Sequence, residues 1–147
     1  MNDAGLTPIT DQVSRIDFVM LADRAEVCNG KLYVMGGILD RFFVSETPSA
    51  INFSVALGIV VPWNATNQPM QVRLSFQTEE GQELGSAEFS ATAGRPPHLP
   101  QGDIQRMALA IPGINLSVPH LGLYVVLATL GDEQPIRVPF RAVPLGS

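Results

Sequence analysis

His98, His120 and Cys28 are the side chains of this 147-residue chain best suited to nucleophilic or metal chemistry. A zinc centre needs three or four ligands, and a nucleophile–base pair needs thiol and imidazole within hydrogen-bond reach. Each histidine sits beside prolines, in Pro96-Pro97-His98-Leu99-Pro100 and Pro119-His120, without a carboxylate one helical turn away. Cys28 belongs to a different turn, just before Asn29-Gly30. These residues read as two solvent-facing loop histidines and a small, partly buried residue at a strand end. No catalytic, metal or cofactor-binding residue is assigned, and no cofactor is expected.

The carboxylates Asp17, Asp23, Glu26 and Asp40 crowd the first third. Asp23 and Glu26 would share a face if their segment were helical, and with loop carbonyls such a cluster could hold a divalent cation. An N-cap role for Asp23, supported by Arg24 and Arg41, explains the same residues with less. Gly30, Gly36 and Gly37 punctuate β structure and do not open a helix, so they make no phosphate loop. Trp63, between Pro62 and Asn64, is the best candidate for a recognition anchor, because exposed aromatics on loops carry much interface energy. The expected interaction surface is Trp63, Asn64, Tyr33, Arg95, His98 and Tyr124, with the two tyrosines as stacking platforms and the 92–102 loop bordering the tryptophan.

The elements that would position these groups are strands. Gln71 to Thr78 alternates polar and apolar residues, the signature of a half-buried strand, and Glu79-Glu80-Gly81-Gln82 turns it back into 83–91. Ile51 to Val61 places Phe53, Val55, Leu57, Ile59 and Val61 on one face and small residues on the other. Leu121 to Leu130 is apolar on both faces, as in the middle of a packed sheet. The returning segment 135–143 contains Pro139, which suits a sheet edge. Further strands are expected at 16–21, 31–35, 38–44 and 103–111, with 22–26 as a helical turn or polar bend and Pro112-Gly113 as a turn. Parallel sheets need crossovers of roughly a dozen residues, and the chain has no amphipathic helix to supply them. The fold class is therefore all-β, a mostly antiparallel two-sheet sandwich of about eight strands. Its expected core is Phe53, Leu57, Leu74, Phe76, Leu123, Val125 and Phe140. A closed or partly open barrel fits the same pattern. Residues 1–14 read as a flexible N-terminal arm and 15–147 as one domain.

Charged residues are 16% of the chain and the net charge is −5. This disfavours a non-specific grip on nucleic acid, the more so because the arginines are spread evenly along the sequence. No signal peptide or membrane-length apolar run is present, and the single cysteine forms no internal disulfide. A cytoplasmic protein is expected, with neither nucleic acid nor membrane as a partner.

The stretch Ala22-Asp23-Arg24-Ala25-Glu26-Val27-Cys28-Asn29-Gly30-Lys31-Leu32-Tyr33-Val34-Met35-Gly36-Gly37 carries a resemblance, together with Gly122-Leu123-Tyr124 and Phe140-Arg141-Ala142-Val143. It resembles a family of uncharacterised bacterial single-domain proteins, a domain of unknown function. The resemblance implies a compact bacterial domain and transfers no catalytic residue. From the residues themselves, the chain reads as a non-catalytic protein-interaction or scaffold domain acting through a sheet edge or loop surface, pairing with itself or another protein. A small-ligand domain for a carbohydrate or polar metabolite and an enzyme of unknown class are the alternatives.

Overall fold

The computed structural model describes residues 13–146, so the arm expected at 1–14 lies almost wholly outside the described residues. Among the described residues nine strands form: β1 (Arg15–Cys28), β2 (Lys31–Gly37), β3 (Arg41–Val44), β4 (Ser49–Pro62), β5 (Pro69–Thr78), β6 (Glu83–Thr92), β7 (Ile104–Val118), β8 (Gly122–Leu130) and β9 (Ile136–Pro144). A 3-10 turn, Trp63–Ala65, follows β4. The strands make a four-stranded sheet, β2-β1-β4-β7, and a five-stranded sheet, β3-β9-β8-β5-β6. Every pairing is antiparallel except β3 with β9. This is the expected two-sheet sandwich, and its nine strands each overlap one of the segments read as strands, against the expected total of about eight.

Alternation explains the core. Val55, Leu57, Ile59 and Val61 of β4 meet Val72 and Leu74 of β5 and Tyr124, Val126 and Ala128 of β8, all at 0% exposure. At one end Phe42, Phe53, Phe76 and Phe140 pack with ring centroids 5.4–6.1 Å apart, the tilted and edge-on contacts that aromatic quadrupoles favour. Leu123 and Val125 pair with Arg141 and Pro139 on the outer face of the five-stranded sheet, while Tyr124 and Val126 fill the interior. Of these two expected core residues, Val125 is still buried, at 4% exposure, although outside the main cluster, whereas Leu123 is only partly buried. A strand apolar on both sides leaves its parity unmarked, and a slip of one residue reverses every side chain.

Three local expectations are corrected. Residues 22–26 are neither helical nor a bend in polar loop; β1 runs on through them to Cys28. Asp23 therefore caps no helix, and Asp23 and Glu26, three apart in a strand, point to opposite faces. Pro112-Gly113 is not a chain reversal either. Along β4 the register steps two residues, Phe53 to Val55, while along β7 it steps three, Ile114 to Ile111. The pair thus forms a β-bulge with Gly113 at φ 69°, and β7 continues to Val118. At Pro139, β9 is locally an edge because β3 covers it only from Arg141 onward.

The β1–β2 hairpin shapes the candidate site. Asn29 and Gly30 turn it with φ of 52° and 73°, the left-handed pair that a two-residue type I′ turn requires. A straight β1 would carry that turn about 33 Å beyond Phe18. Instead Gly30 and Leu32 line one crevice with Asp17, Phe18 and Gly58. The hairpin folds back over the outer face of its own sheet, and Cα atoms of β1 and β2 come within 8 Å of β7. The bend falls where the register passes from Ala22↔Gly37 to Arg24↔Met35. There Gly36 has φ 65° and the Asp23 carboxylate occupies the space a Cβ would take, so glycine is required twice over. The strip beneath is small and buried, with Ser54 at 4%, Ala56 at 0% and Val60 at 3% exposure. The Phe18 ring lies directly on Gly58.

Candidate functional site

Between the folded-back hairpin and β7 lies an open cleft of about 750 Å³. Val27, Tyr33 and Met35 line it from the hairpin, and Ala108, Ala110 and Pro112 from β7. The hairpin residues are strongly exposed for apolar side chains, at 40%, 52% and 68%. Alanines at 108 and 110 keep the β7 wall low, which leaves room that larger residues would fill. Arg24 and Glu26 also line the cleft and form no ion pair among the described residues. The arrangement offers apolar walls, one phenol and two charged side chains, and no nucleophile faces an imidazole. Tyr33 is thus in a concave site as its residue type suggested, opposite Glu26 in the β1–β2 register, but the rest of the lining is largely apolar.

The Trp63 group is a separate construction. Trp63 opens the 3-10 turn, and the Arg95 guanidinium lies over its ring at 3.6 Å from the centroid. Arg95 Nε donates to Thr66 Oγ1 at 2.8 Å, Arg95 Nη2 donates to the Trp63 carbonyl at 3.0 Å, and Thr66 Oγ1 donates to that same carbonyl at 2.8 Å. The 92–102 loop is tied down by this arginine, so Trp63 and Arg95 do come together. The Asn64 carbonyl accepts from Gln68 Nε2 at 3.4 Å. His98 is exposed on the same loop.

Tyr124 has to be withdrawn from the interaction surface, because it is 0% exposed. Its ring stacks on Phe140 and His120 at 5.5 and 5.6 Å. Its hydroxyl donates to the His120 carbonyl at 2.6 Å and accepts from the His120 N–H at 3.2 Å. Burial pushes the phenol pKa above its ordinary value, against the opposing effect of the His120 hydrogen bond. Cys28, expected to be partly buried, is an exposed free thiol. Asp40 receives Arg41 Nε at 3.2 Å, and no three His, Cys, Asp or Glu side chains gather as a metal site among the described residues. No helix there is long and apolar enough to cross a membrane.

Register assembles one group that even spacing along the chain concealed. Arg41 of β3 is the partner of Arg141 of β9, and Arg137 lies on the same face four residues earlier, opposite Leu127. Phe43, 61% exposed, shares that face. Across the sheet, Arg73 is already engaged. It donates to Glu83 Oε1 at 3.0 Å, Ser75 Oγ donates to the same oxygen at 2.6 Å, and Glu88 lies 3.9 Å away. The Ser75 hydrogen bond, then that from Arg73, holds the Glu83 carboxyl below the usual carboxylate range.

A model of one protein family, Family of unknown function (DUF6941), matches residues 17–143. The chain belongs to this family. The match covers all nine strands but for the first two residues of β1 and the last of β9, so the DUF6941 domain and the sandwich coincide. No curated protein matches the sequence. Among solved structures, the crystal structure of the C-terminal domain of wzt is similar at 10% identity, covering 92% of this chain and 83% of that one with a TM-score of 0.41. That similarity is too distant to bear on what the DUF6941 chain binds.

Proposed function

We propose that the domain is a non-catalytic binding module that takes a small, largely apolar molecule into the cleft between the β1–β2 hairpin and β7. One observation carries this reading: Val27, Tyr33 and Met35 stay exposed around a volume of about 750 Å³, inside the range of roughly 300–1,000 Å³ typical of small-molecule sites. Soluble domains seldom leave contiguous apolar surface open without a use for it. The lining favours an aromatic or alkyl body with at most a small polar head near Arg24 and Glu26, over the carbohydrate or polar metabolite that the tyrosines alone suggest. A sugar would find few directional partners on alanine, methionine and proline.

A panel of alkyl and aryl compounds screened by thermal shift tests this directly, with 8-anilinonaphthalene-1-sulfonate as a fluorescent probe. Binding that raises the melting temperature and is lost in Met35→Asp and Tyr33→Asp is the expected result. A panel that stabilises nothing, or stabilises the wild type and both variants alike, refutes the site. Interaction with another protein is the second reading, favoured by the exposed arginine and phenylalanine side chains of the opposite sheet.

A further inference from the structure

We infer that the outer face of β3 and β9 is a docking surface for an extended acidic segment of a partner protein, distinct from the cleft and independent of it. Arg41 and Arg141 are register partners on adjacent strands, about 5 Å apart in backbone spacing. Arg137 stands four residues from Arg141 on the same side of β9, about 13 Å along the strand. The three are exposed. Among the described residues Arg137 and Arg141 have no carboxylate within 4 Å, and Arg41 has only the adjacent, equally exposed Asp40. A pair so exposed contributes little and is readily exchanged. Glu83 and Glu88, on the far edge strand of the same sheet, are taken by Arg73.

Charge complementarity names the occupant. A chain of net charge −5 that gathers three under-used guanidinium groups on one face matches a negative partner locally while repelling a long polyanion overall. The arginines interleave with Phe43, Leu123 and Leu127, and the exposed phenyl ring at 61% needs an apolar counterpart that phosphate or a nucleic-acid backbone does not provide. An extended segment with carboxylates on one side and apolar residues between them supplies both, and guanidinium forks grip carboxylates bidentately.

The test uses the full chain and a fluorescein-labelled peptide of alternating glutamate and valine, read by anisotropy at low and at physiological salt. Micromolar binding that weakens with salt is expected, falling at least ten-fold in Arg137→Glu/Arg141→Glu and in the milder Arg137→Gln/Arg141→Gln. Arg15→Glu, on the other sheet, leaves it unchanged. Circular dichroism confirms that each variant folds. Absence of peptide binding, equal binding by the double variants, or tighter binding of single-stranded DNA or of inorganic phosphate overturns the inference. Because none of these substitutions touches Val27, Tyr33 or Met35, failure here leaves the cleft reading standing, and failure of the cleft leaves this one.

Discussion

Substituting Gly58 by alanine adds one methyl group to β4 at the point where the hairpin strand crosses it. A Cβ there lies 2.5 Å from Phe18 Cε1, 3.0 Å from Cδ1 and 3.4 Å from Cζ, against about 3.5–4.0 Å for relaxed carbon contacts. The ring must retreat by about an ångström or the two strands must part. Neither is easy, since β1 and β4 are hydrogen-bonded partners at this residue and Phe18 is itself half-buried. Overpacking of this kind costs about 1–3 kcal/mol. Against it stands the loss of glycine's freedom in the unfolded chain, worth about 0.4–1 kcal/mol in favour of alanine where the backbone is extended. The net expectation is a destabilisation of about 1–2 kcal/mol, or a fall in Tm of about 3–6 °C for a chain of this length.

Chemical denaturation of four proteins measures it: wild type, Gly58→Ala, Phe18→Leu and the double variant. Leucine lacks the Cε1 and Cζ atoms that crowd the new methyl, so in its background Gly58→Ala costs less than half as much. The coupling is then visible as non-additivity between two contacting residues. A Gly58→Ala protein as stable as wild type, or a penalty equal in both backgrounds, refutes the claim that the Phe18 ring seats on this glycine.

Arg95→Ala removes the guanidinium from the Trp63 face along with two hydrogen bonds, an expected loss of about 1–3 kcal/mol, and the emission of the single tryptophan reports the exposed indole. Tyr124→Phe strips the hydroxyl that satisfies both backbone groups of His120, an expected cost of about 1–3 kcal/mol by denaturant titration. Because burial raises the Tyr124 pKa, its contribution to stability is complete below the phenol's unfolded value and lost as pH rises through the folded one. In a Tyr33→Phe background the phenolate absorbance of the remaining tyrosine therefore rises only above the ordinary tyrosine range, together with alkaline unfolding. Glu83 has the opposite sign. Its pKa is depressed, so its contribution is present above the unfolded carboxylate value and lost as pH falls through the lower folded one. Carboxyl chemical shifts followed by NMR show that value rising in Ser75→Ala and, by less, in Arg73→Ala.

Periodicity carried most of the fold. The 71–78 and 83–91 segments alternate cleanly, and the structure extends them by only a few residues to Pro69–Thr78 and Glu83–Thr92. The doubly apolar 121–130 segment became a central strand, as its composition demands. Parity was legible in Ile51 to Val61, where large and small residues alternate, and illegible in β8, where Leu123 and Tyr124 are both apolar enough for either side. The Ala22–Glu26 segment misled for a related reason. Its charges serve a strand lying away from the core, and Asp23-x-x-Glu26 has the spacing of a helix face without the tertiary reason for a helix.

The candidate sites were less legible because they are products of register and bending, which single-strand patterns do not encode. Tyr33 and Ala108 lie 75 residues apart in sequence, and they share a cleft because β1 doubles back at Asp23 and Gly36. The local signal was present, since a glycine pair in a β run announces a bend or a close approach, but its direction depends on what the hairpin meets. What it meets is a strip of Ala56, Gly58 and Ala108, small enough to accept it. The arginines follow the same logic. Arg41 and Arg141 lie 100 residues apart in sequence, and only the parallel pairing of β3 with β9 makes them neighbours. A sequence can place each charge on a strand face by alternation. It cannot say which faces will be adjacent until the strand order is known, and so three of the evenly spread arginines, Arg41, Arg137 and Arg141, become neighbours only in the folded sheet.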